Sequence, residues 1–178
     1  MTGAPGVGKT TVLIKTVEAL KAQGAGVGGM ASREAREGGL RVGFEIVDLT
    51  SGKHGWLAHV NQKVGPQVGK YRVNMEDLES MGAKAILDAA EKCSVVAIDE
   101  VGPMELFSQK FKQAAERALA SEKIVLAVVH AKAKDPLIDY AKQREDAEIF
   151  AVTLDNREGL PEKLTMQVLA VLRSQHVT

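Results

Sequence analysis

The stretch Gly3–Thr10 constrains this chain more than any other feature of its sequence. It reads Gly-Ala-Pro-Gly-Val-Gly-Lys-Thr and matches the phosphate-binding pattern G-x-x-x-x-G-K-[ST]. Three glycines without a Cβ let the backbone bend round a phosphate and turn its N–H groups inward. Lys9 is a point charge suited to the outer phosphates, and the Thr10 hydroxyl is a hard oxygen ligand suited to Mg²⁺. We predict that nucleotide phosphates contact Gly3, Ala4, Pro5, Gly6, Val7, Gly8, Lys9, Thr10 and Thr11.

The residues on either side of this loop set its structural context. Leu13, Val17 and Leu20 recur at helical spacing, which predicts a helix over residues 9–22 with its positive end at the anion. Such a loop normally follows a buried parallel strand, but only Met1 and Thr2 precede Gly3. We expect the first strand either to lie upstream of the recorded start, which we favour, or to be absent from the sheet. Without it, neighbouring strands lose a pairing partner, so stability and turnover are expected to be poor.

Length, charge and cysteine usage restrict the remaining choices. A chain of 178 residues predicts one domain, spanning 1–178, with room for a full core. Lys plus Arg equals Asp plus Glu at 23 each, so nucleic-acid binding is not indicated. Cys93 is the only cysteine, read as a buried or half-buried thiol, which excludes an internal disulfide and a thiolate zinc cluster. No apolar run approaches 18 residues and no signal peptide is apparent, so we expect no membrane partner and a cytoplasmic protein, acting as a monomer or weak homo-oligomer.

Hydrophobic periodicity and chain breakers predict the other elements. Short continuous apolar runs suit strands buried on both faces of a parallel sheet, and helical patterns separate these runs. Alternating apolar and polar residues predict a β-hairpin at about 40–60, and a loop follows at 61–70. Strands are predicted at 27–32, 71–73, 94–98, 123–129 and 147–152, and helices at 75–92, 104–120, 136–144 and 160–173. This alternation predicts a three-layer α/β fold with a mostly parallel central sheet and an inserted β-hairpin.

The acidic pair Asp99-Glu100 directly follows one of the apolar strands. In a phosphate-loop fold the acidic residue at this position holds Mg²⁺, usually through water. A second carboxylate beside it takes the proton from an attacking water. We therefore predict Thr10 and Asp99 as the metal-site residues, and Glu100 and Lys9 as catalytic residues. Taken without the phosphate loop, the pair is also compatible with a solvated strand end.

The segment Ile98–Ser108 and the phosphate loop together resemble the small thermostable nucleoside-triphosphatase family, known in animals as the cancer-related nucleoside-triphosphatases. Ile98–Ser108 reads Ile-Asp-Glu-Val-Gly-Pro-Met-Glu-Leu-Phe-Ser. The resemblance covers nearly the whole chain, and further matches are Arg33-Glu34, Arg36, Gly43-Phe44, Gly69–Val73, Thr153 and Asn156-Arg157. It implies a RecA-like phosphate-loop NTPase sheet, Mg²⁺, and slow, base-tolerant hydrolysis of nucleoside triphosphates. It also implies that residues 95–102, including Gly102, line the nucleotide site.

The chain departs from the family pattern at two places. The strand before the phosphate loop is missing from the sequence. Pro103 stands where many members of the family carry lysine. If that lysine contacts phosphate, its replacement affects rate or affinity, and if it is a surface residue, nothing changes.

Several other side chains are weaker candidates. His130 follows the strand after the acidic one and could orient the attacking water, or it could simply cap the strand end. The arginines that could stabilise charge on a transferred phosphoryl group are Arg36, Arg41, Arg144 and Arg157. Asn156 and Arg157 form the best nucleotide-binding candidates among these residues, although Asn156 could instead cap the last helix. Phe44 and Trp56 could contact a base but fit hairpin packing better, and Glu105 suits a helix start.

The leading hypothesis is a Mg²⁺-dependent nucleoside-triphosphatase in which Glu100 activates water for in-line attack on the γ-phosphorus. One rival is a nucleotide or small-molecule kinase, which shares the loop and an acidic base, and residues 33–72 are long enough to form its lid. A second rival is a nucleotide-gated binding module. Phosphate release without an acceptor separates hydrolase from kinase, and nucleotide-dependent binding with negligible turnover would favour the module.

Overall fold

Residues 1–175 are described by the structure, a computed structural model, and they form a seven-stranded sheet with helices on both faces. The strands are β1 Val27–Glu37, β2 Leu40–Asp48, β3 His54–His59, β4 Gln67–Val68, β5 Tyr71–Val73, β6 Val95–Val101 and β7 Ile124–Val129. Their order across the sheet is β4-β5-β3-β2-β1-β6-β7. The predicted α/β class is confirmed.

The sheet is mixed rather than mostly parallel. Strands β1, β6 and β7 are parallel, whereas β2 to β5 join through antiparallel pairings. The hairpin at 40–60 is present as β2 and β3, but it is not a separate ribbon. Strand β1 runs on to Glu37, well past the predicted 27–32, and pairs with β2 along its length. The hairpin is therefore an extension of the main sheet.

The helices divide between the two faces of the sheet. They are α1 Lys9–Ala22, α2 Met75–Asp77, α3 Lys84–Lys92, α4 Gln109–Leu119, α5 Pro136–Gln143 and α6 Leu160–Gln175. Helices α1 and α6 pack together, and their apolar residues join one core with Val95, Ala97, Leu126 and Val128. Helices α3 and α4 cover a second core that includes Met30, Ile46 and Ile98. Within residues 1–175, no helix is long and apolar enough to cross a membrane.

Two of the predicted helices are interrupted. The helix at 75–92 contains a π-helical stretch, Leu78–Ala83, where Gly82 approaches the sheet so closely that a Cβ would lie 2.8 Å from Met30 Sδ. The helix predicted at 104–120 begins only at Gln109, because the Ser108 hydroxyl accepts a hydrogen bond from Phe111 N and caps it. Residues Glu105–Phe107 form a separate 3₁₀ turn.

The strand predicted at 147–152 is wrong. Only Ala151 forms a bridge in that segment, and its partner is Thr2. Met1 and Thr2 lie between β7 and this segment and bond to both sides. Met1 N donates to Ala127 O at 2.6 Å, while Thr2 N donates to Phe150 O at 2.9 Å. Residues 147–152 therefore have only Met1 and Thr2 to pair with, and two residues are too few to hold this segment as a strand.

A cavity of about 450 Å³ continues the line of Met1 and Thr2 along β7. Its apolar walls come from β7, from the segment before Ala151 and from α6, and include Ile124, Leu126, Phe150, Leu164, Val168 and Val171. The Met1 ammonium lies at one end of this cavity, where burial lowers its pKa to about 6. The cavity therefore adjoins the two residues that lead into the phosphate loop.

Candidate functional site

The phosphate loop joins Met1-Thr2 to the first helix, as its sequence predicts. Gly3 has a φ of 155°, and a Cβ there would lie 2.7 Å from Val152 O. Gly8, the residue before α1, has a φ of 108°, in the region that favours glycine. The first turn of α1 carries no acidic side chain. No carboxylate of the helix's own first turn therefore competes with an anion for its positive end, which adjoins the loop.

Lys9 folds back over this loop. Its Nζ donates to Gly3 O and to Ala4 O, both at 3.2 Å. An ammonium has three donors, so one remains for an anion held by the loop. The two carbonyl contacts hold the Lys9 ammonium against the first residues of the loop.

Asp99 lies at the end of β6 and is 1% exposed. Burial, the largest effect, raises the pKa of its carboxyl from 3.8 to about 7. The adjacent Thr10 hydroxyl and the Lys9 ammonium act in the opposite direction. Residues separated by 90 positions in the chain are thus neighbours, and the acidic pair and the phosphate loop lie at one site. The Asp99 Oδ2 atom is buried without a hydrogen-bond partner among the described residues.

Glu100 follows Asp99 at the end of β6 but lies outside the β6–β7 ladder. The register shifts between Asp99 and Val101, which leaves Glu100 out of the pairing, and the peptide bond that precedes Glu100 is cis. Its side chain folds over Gly102, where a Cβ would lie 2.5 Å from Glu100 Oε1. Gly102 therefore makes room for the Glu100 carboxylate, a contact that the sequence did not reveal.

Glu105 is the main feature that sequence reasoning missed. It was assigned to a helix start, but the structure buries it to 3% exposure in the 3₁₀ turn after β6. The pKa of its carboxyl is raised to about 8, mainly by burial, and the nearby charges of Glu100 and Asp99 contribute to this rise. The signal that could have found it is its short distance along the chain from the acidic pair.

Replacing Glu105 by Gln is expected to flatten the pH dependence of stability. The unfolded chain ionises this carboxyl near pH 4.5, whereas the folded protein keeps the proton until about pH 8. Wild type therefore loses free energy of unfolding as pH rises through that window, by about 4 kcal/mol, and the Gln variant lacks this part of the loss. Urea unfolding at pH 5 and pH 8 measures the difference. Equal pH dependence in the two proteins would contradict the buried, protonated state of Glu105, and Glu116→Gln on the exposed face of α4 is the control.

Asn156 and Arg157 lie at the loop edge but make different contacts. Asn156 Oδ1 accepts from Thr153 N at 2.9 Å and its Nδ2 donates to Ala151 O at 2.8 Å, so it folds the segment before α6. Arg157 lies against the phosphate loop, with Nη1 3.5 Å from Val7 O. Arg157 thus lies against the phosphate loop, whereas Asn156 holds the backbone beside it.

The other weak candidates are dispersed. His130 Nδ1 accepts from Ala133 N at 2.9 Å, which fits the strand-capping interpretation. Arg144 pairs with Asp146 beside the β7 cavity, while Arg36 and Arg41 both pair with Glu34. Aromatic side chains pack within the sheet extension: Phe44 against Tyr71 at 5.2 Å, and Trp56 against His59 at 4.6 Å. Cys93 is a half-buried thiol and Pro103 is exposed.

The chain is similar to known proteins along nearly its whole length. A family model described as NTPase matches residues 1–165. The nucleoside-triphosphatase THEP1 of Thermofilum pendens is 46% identical over 173 residues, covering 97% of this chain and 95% of that protein. The protein of the same name from Methanosarcina acetivorans is 47% identical, with 97% of each chain covered.

Two solved structures share the fold along nearly the whole chain. The crystal structure of THEP1 from Aquifex aeolicus superposes with a TM-score of 0.83 at 29% identity, covering 94% of this chain and 96% of that one. The solution structure of a human cancer-related nucleoside triphosphatase gives a TM-score of 0.80 at 37% identity, with 95% of each chain covered.

Proposed function

The chain belongs to the NTPase family, and from this premise we propose that it hydrolyses nucleoside 5′-triphosphates to the diphosphate and phosphate, with Mg²⁺ and with tolerance for the base. One observation carries the proposal furthest. The buried Asp99 carboxylate meets the Thr10 hydroxyl beside Lys9, and Glu100 leaves the strand pairing at the same edge. We also propose that the protein works in the cytoplasm, that it acts as a monomer or weak homo-oligomer, and that residues 1–178 form one domain.

The residues fit Mg²⁺. Asp99 has an oxygen without a partner among the described residues, and Thr10 supplies a hydroxyl beside it. Residues 1–175 hold no cluster of three or more His, Cys, Asp or Glu side chains, and Mg²⁺ characteristically binds one or two protein oxygens together with water and substrate phosphates. When bound, the ion neutralises charge that develops on the β- and γ-phosphates.

Each catalytic role falls to one of these residues. The loop backbone from Gly3 to Thr11 and the Lys9 ammonium bind the β- and γ-phosphates. Glu100 accepts a proton from water as the water oxygen bonds to the γ-phosphorus. The bond between that phosphorus and the bridging oxygen breaks, and the diphosphate leaves. Arg157 contacts the nucleotide from the segment before α6, and Asn156 keeps that segment in place.

A phosphate-release assay with ATP, GTP, CTP and UTP tests the proposal, with and without Mg²⁺ and with no acceptor molecule. Wild type is expected to release phosphate from all four nucleotides at comparable rates, and chelation of Mg²⁺ should reduce release to background. Lys9→Ala should lose most of the activity because the phosphates lose their countercharge. Transfer only when an acceptor is added would instead indicate a kinase. Nucleotide binding without release would indicate a binding module.

A further inference from the structure

Strand β1 projects past the edge of the parallel sheet next to the acidic pair. Residues 27–30 pair with 95–98 of β6, but from Ala31 to Glu37 the strand pairs only with β2. The backbone of Ser32 lies beside the Asp99 carboxyl group. The projecting part of β1 therefore starts at the proposed metal ligand, and Arg33 is its next residue.

The register determines the face on which Arg33 lies. Ile46 and Phe44 of β2 pack with the core under α3 and α4, and they pair with Ser32 and Glu34. Side chains alternate between faces along a strand, so Arg33 and its partner Glu45 point to the opposite face. That face is covered by α1, since Val27 of β1 packs with Leu13 and Val17. Arg33 is thus on the phosphate-loop side of the sheet.

We propose that Arg33 stabilises the transition state of hydrolysis by binding oxygens of the transferred phosphoryl group, in the same chain that carries the phosphate loop. The inference rests on the proposed function and adds a catalytic residue to it. As the bond from the water oxygen to the γ-phosphorus forms and the bond to the diphosphate breaks, charge spreads over the three equatorial oxygens. A planar guanidinium with several donors is suited to that distributed charge.

The guanidinium is oriented and partly free. Its Nε is ion-paired with Glu45 Oε2, and this contact fixes the direction of the fork. Within residues 1–175, Arg33 donates its side-chain hydrogen bond through Nε and none through Nη1 or Nη2, so four donors remain for phosphate oxygens. Its side chain is 55% exposed. Glu45 is therefore a positioning residue, and Arg33 is the group that touches the substrate.

Arg36 on the same strand provides a matched contrast. Its side chain is also 55% exposed, but Nε and Nη2 both donate to Glu34 Oε2 and Nη1 donates to Gly39 O. Glu34 pairs with Phe44, on the face away from α1. Removal of Arg36 thus deletes an arginine of equal exposure and equal charge that lies on the face of the sheet opposite the phosphate loop.

The test compares Arg33→Gln, Arg36→Gln and Arg33→Lys with wild type and Glu100→Gln. Three quantities are measured: the turnover number, the affinity for a non-hydrolysable triphosphate analogue, and the affinity for the diphosphate with aluminium fluoride, a transition-state mimic. Arg33→Gln is expected to lower turnover about 10³-fold and to weaken binding of the transition-state mimic. The affinity for the non-hydrolysable analogue should stay as in wild type. Arg33→Lys should recover only part of the rate, because the fork is lost. Arg36→Gln should match wild type.

The outcomes separate this inference from the proposed function. If wild type turns over and Arg33→Gln behaves like Arg36→Gln, the role of Arg33 is overturned and the hydrolase stands. If Arg33→Gln lowers the affinities for the analogue and for the mimic equally, Arg33 only binds substrate and the inference also fails. If wild type releases no phosphate, both fail. Thermal melting of the two Gln variants controls for folding, and Arg33→Lys carries the same comparison if Arg33→Gln is unstable.

Discussion

Replacing Glu100 by Gln is expected to lower the turnover number about 10⁴-fold while leaving nucleotide affinity close to that of wild type. The amide has the same size as the carboxylate, and Gly102 leaves room for either group. An amide cannot accept the proton that the attacking water must lose. Single-turnover phosphate release and equilibrium binding of a fluorescent nucleotide measure the two quantities.

Glu116→Gln is the control for this substitution, since it removes one carboxylate from the exposed face of α4 and should leave both quantities unchanged. A residual rate within tenfold of wild type for Glu100→Gln would remove this residue from its role as general base. A parallel loss of affinity would instead assign it to nucleotide binding. The two measurements therefore distinguish chemistry from binding.

Joining a four-residue segment of valine and isoleucine to the amino side of Met1 is expected to raise the melting temperature by about 10 °C. The segment would continue the Met1-Thr2 pairing along β7 and fill the adjacent 450 Å³ cavity. Burial of its side chains and its strand hydrogen bonds, less the entropy of ordering four residues, gives a net gain on the order of 4 kcal/mol. For a protein of this size each kcal/mol corresponds to a shift of about 2–4 °C. The buried Met1 ammonium also becomes an uncharged amide.

A glycine-serine segment of the same length is the control for that experiment, because it removes the ammonium charge but supplies no apolar surface. Calorimetry of both proteins measures the difference. If the apolar segment gives no more stability than the polar one, the cavity beside β7 is not a strand position. A gain in turnover alongside the gain in stability would show that the strand also supports the phosphate loop.

The parts of the fold that sequence reasoning predicted well are those with local signals. Helix α1 spans Lys9–Ala22 as its periodicity and the loop indicate, and β2, β3 and β5 lie where alternation places them. The phosphate loop and the Asp99-Glu100 pair are short motifs whose meaning depends on a strand or helix beside them. Each also lies at an end of its element, where a parallel α/β sheet brings such residues together.

The errors concern features that depend on tertiary partners. Residues 147–152 have the composition of a strand, but a strand requires a neighbour, and only Thr2 bridges to Ala151. Glu105 carries the sequence signal of a helix start, while its burial follows from the packing around the turn after β6. The sequence singles out Arg36 but not Arg33 as a candidate for stabilising phosphoryl charge, because the face of a strand cannot be read until its register is known.

The most direct test of the central claim is a crystal structure of the Glu100→Gln protein with ATP and Mg²⁺. The account predicts an intact triphosphate with its β- and γ-phosphates in the Gly3–Thr10 loop, contacted by Lys9, the ion at Thr10 and Asp99, and the Gln side chain facing the γ-phosphorus. A triphosphate bound elsewhere, or one in the loop with residues 99 and 100 turned away from it, would contradict the account.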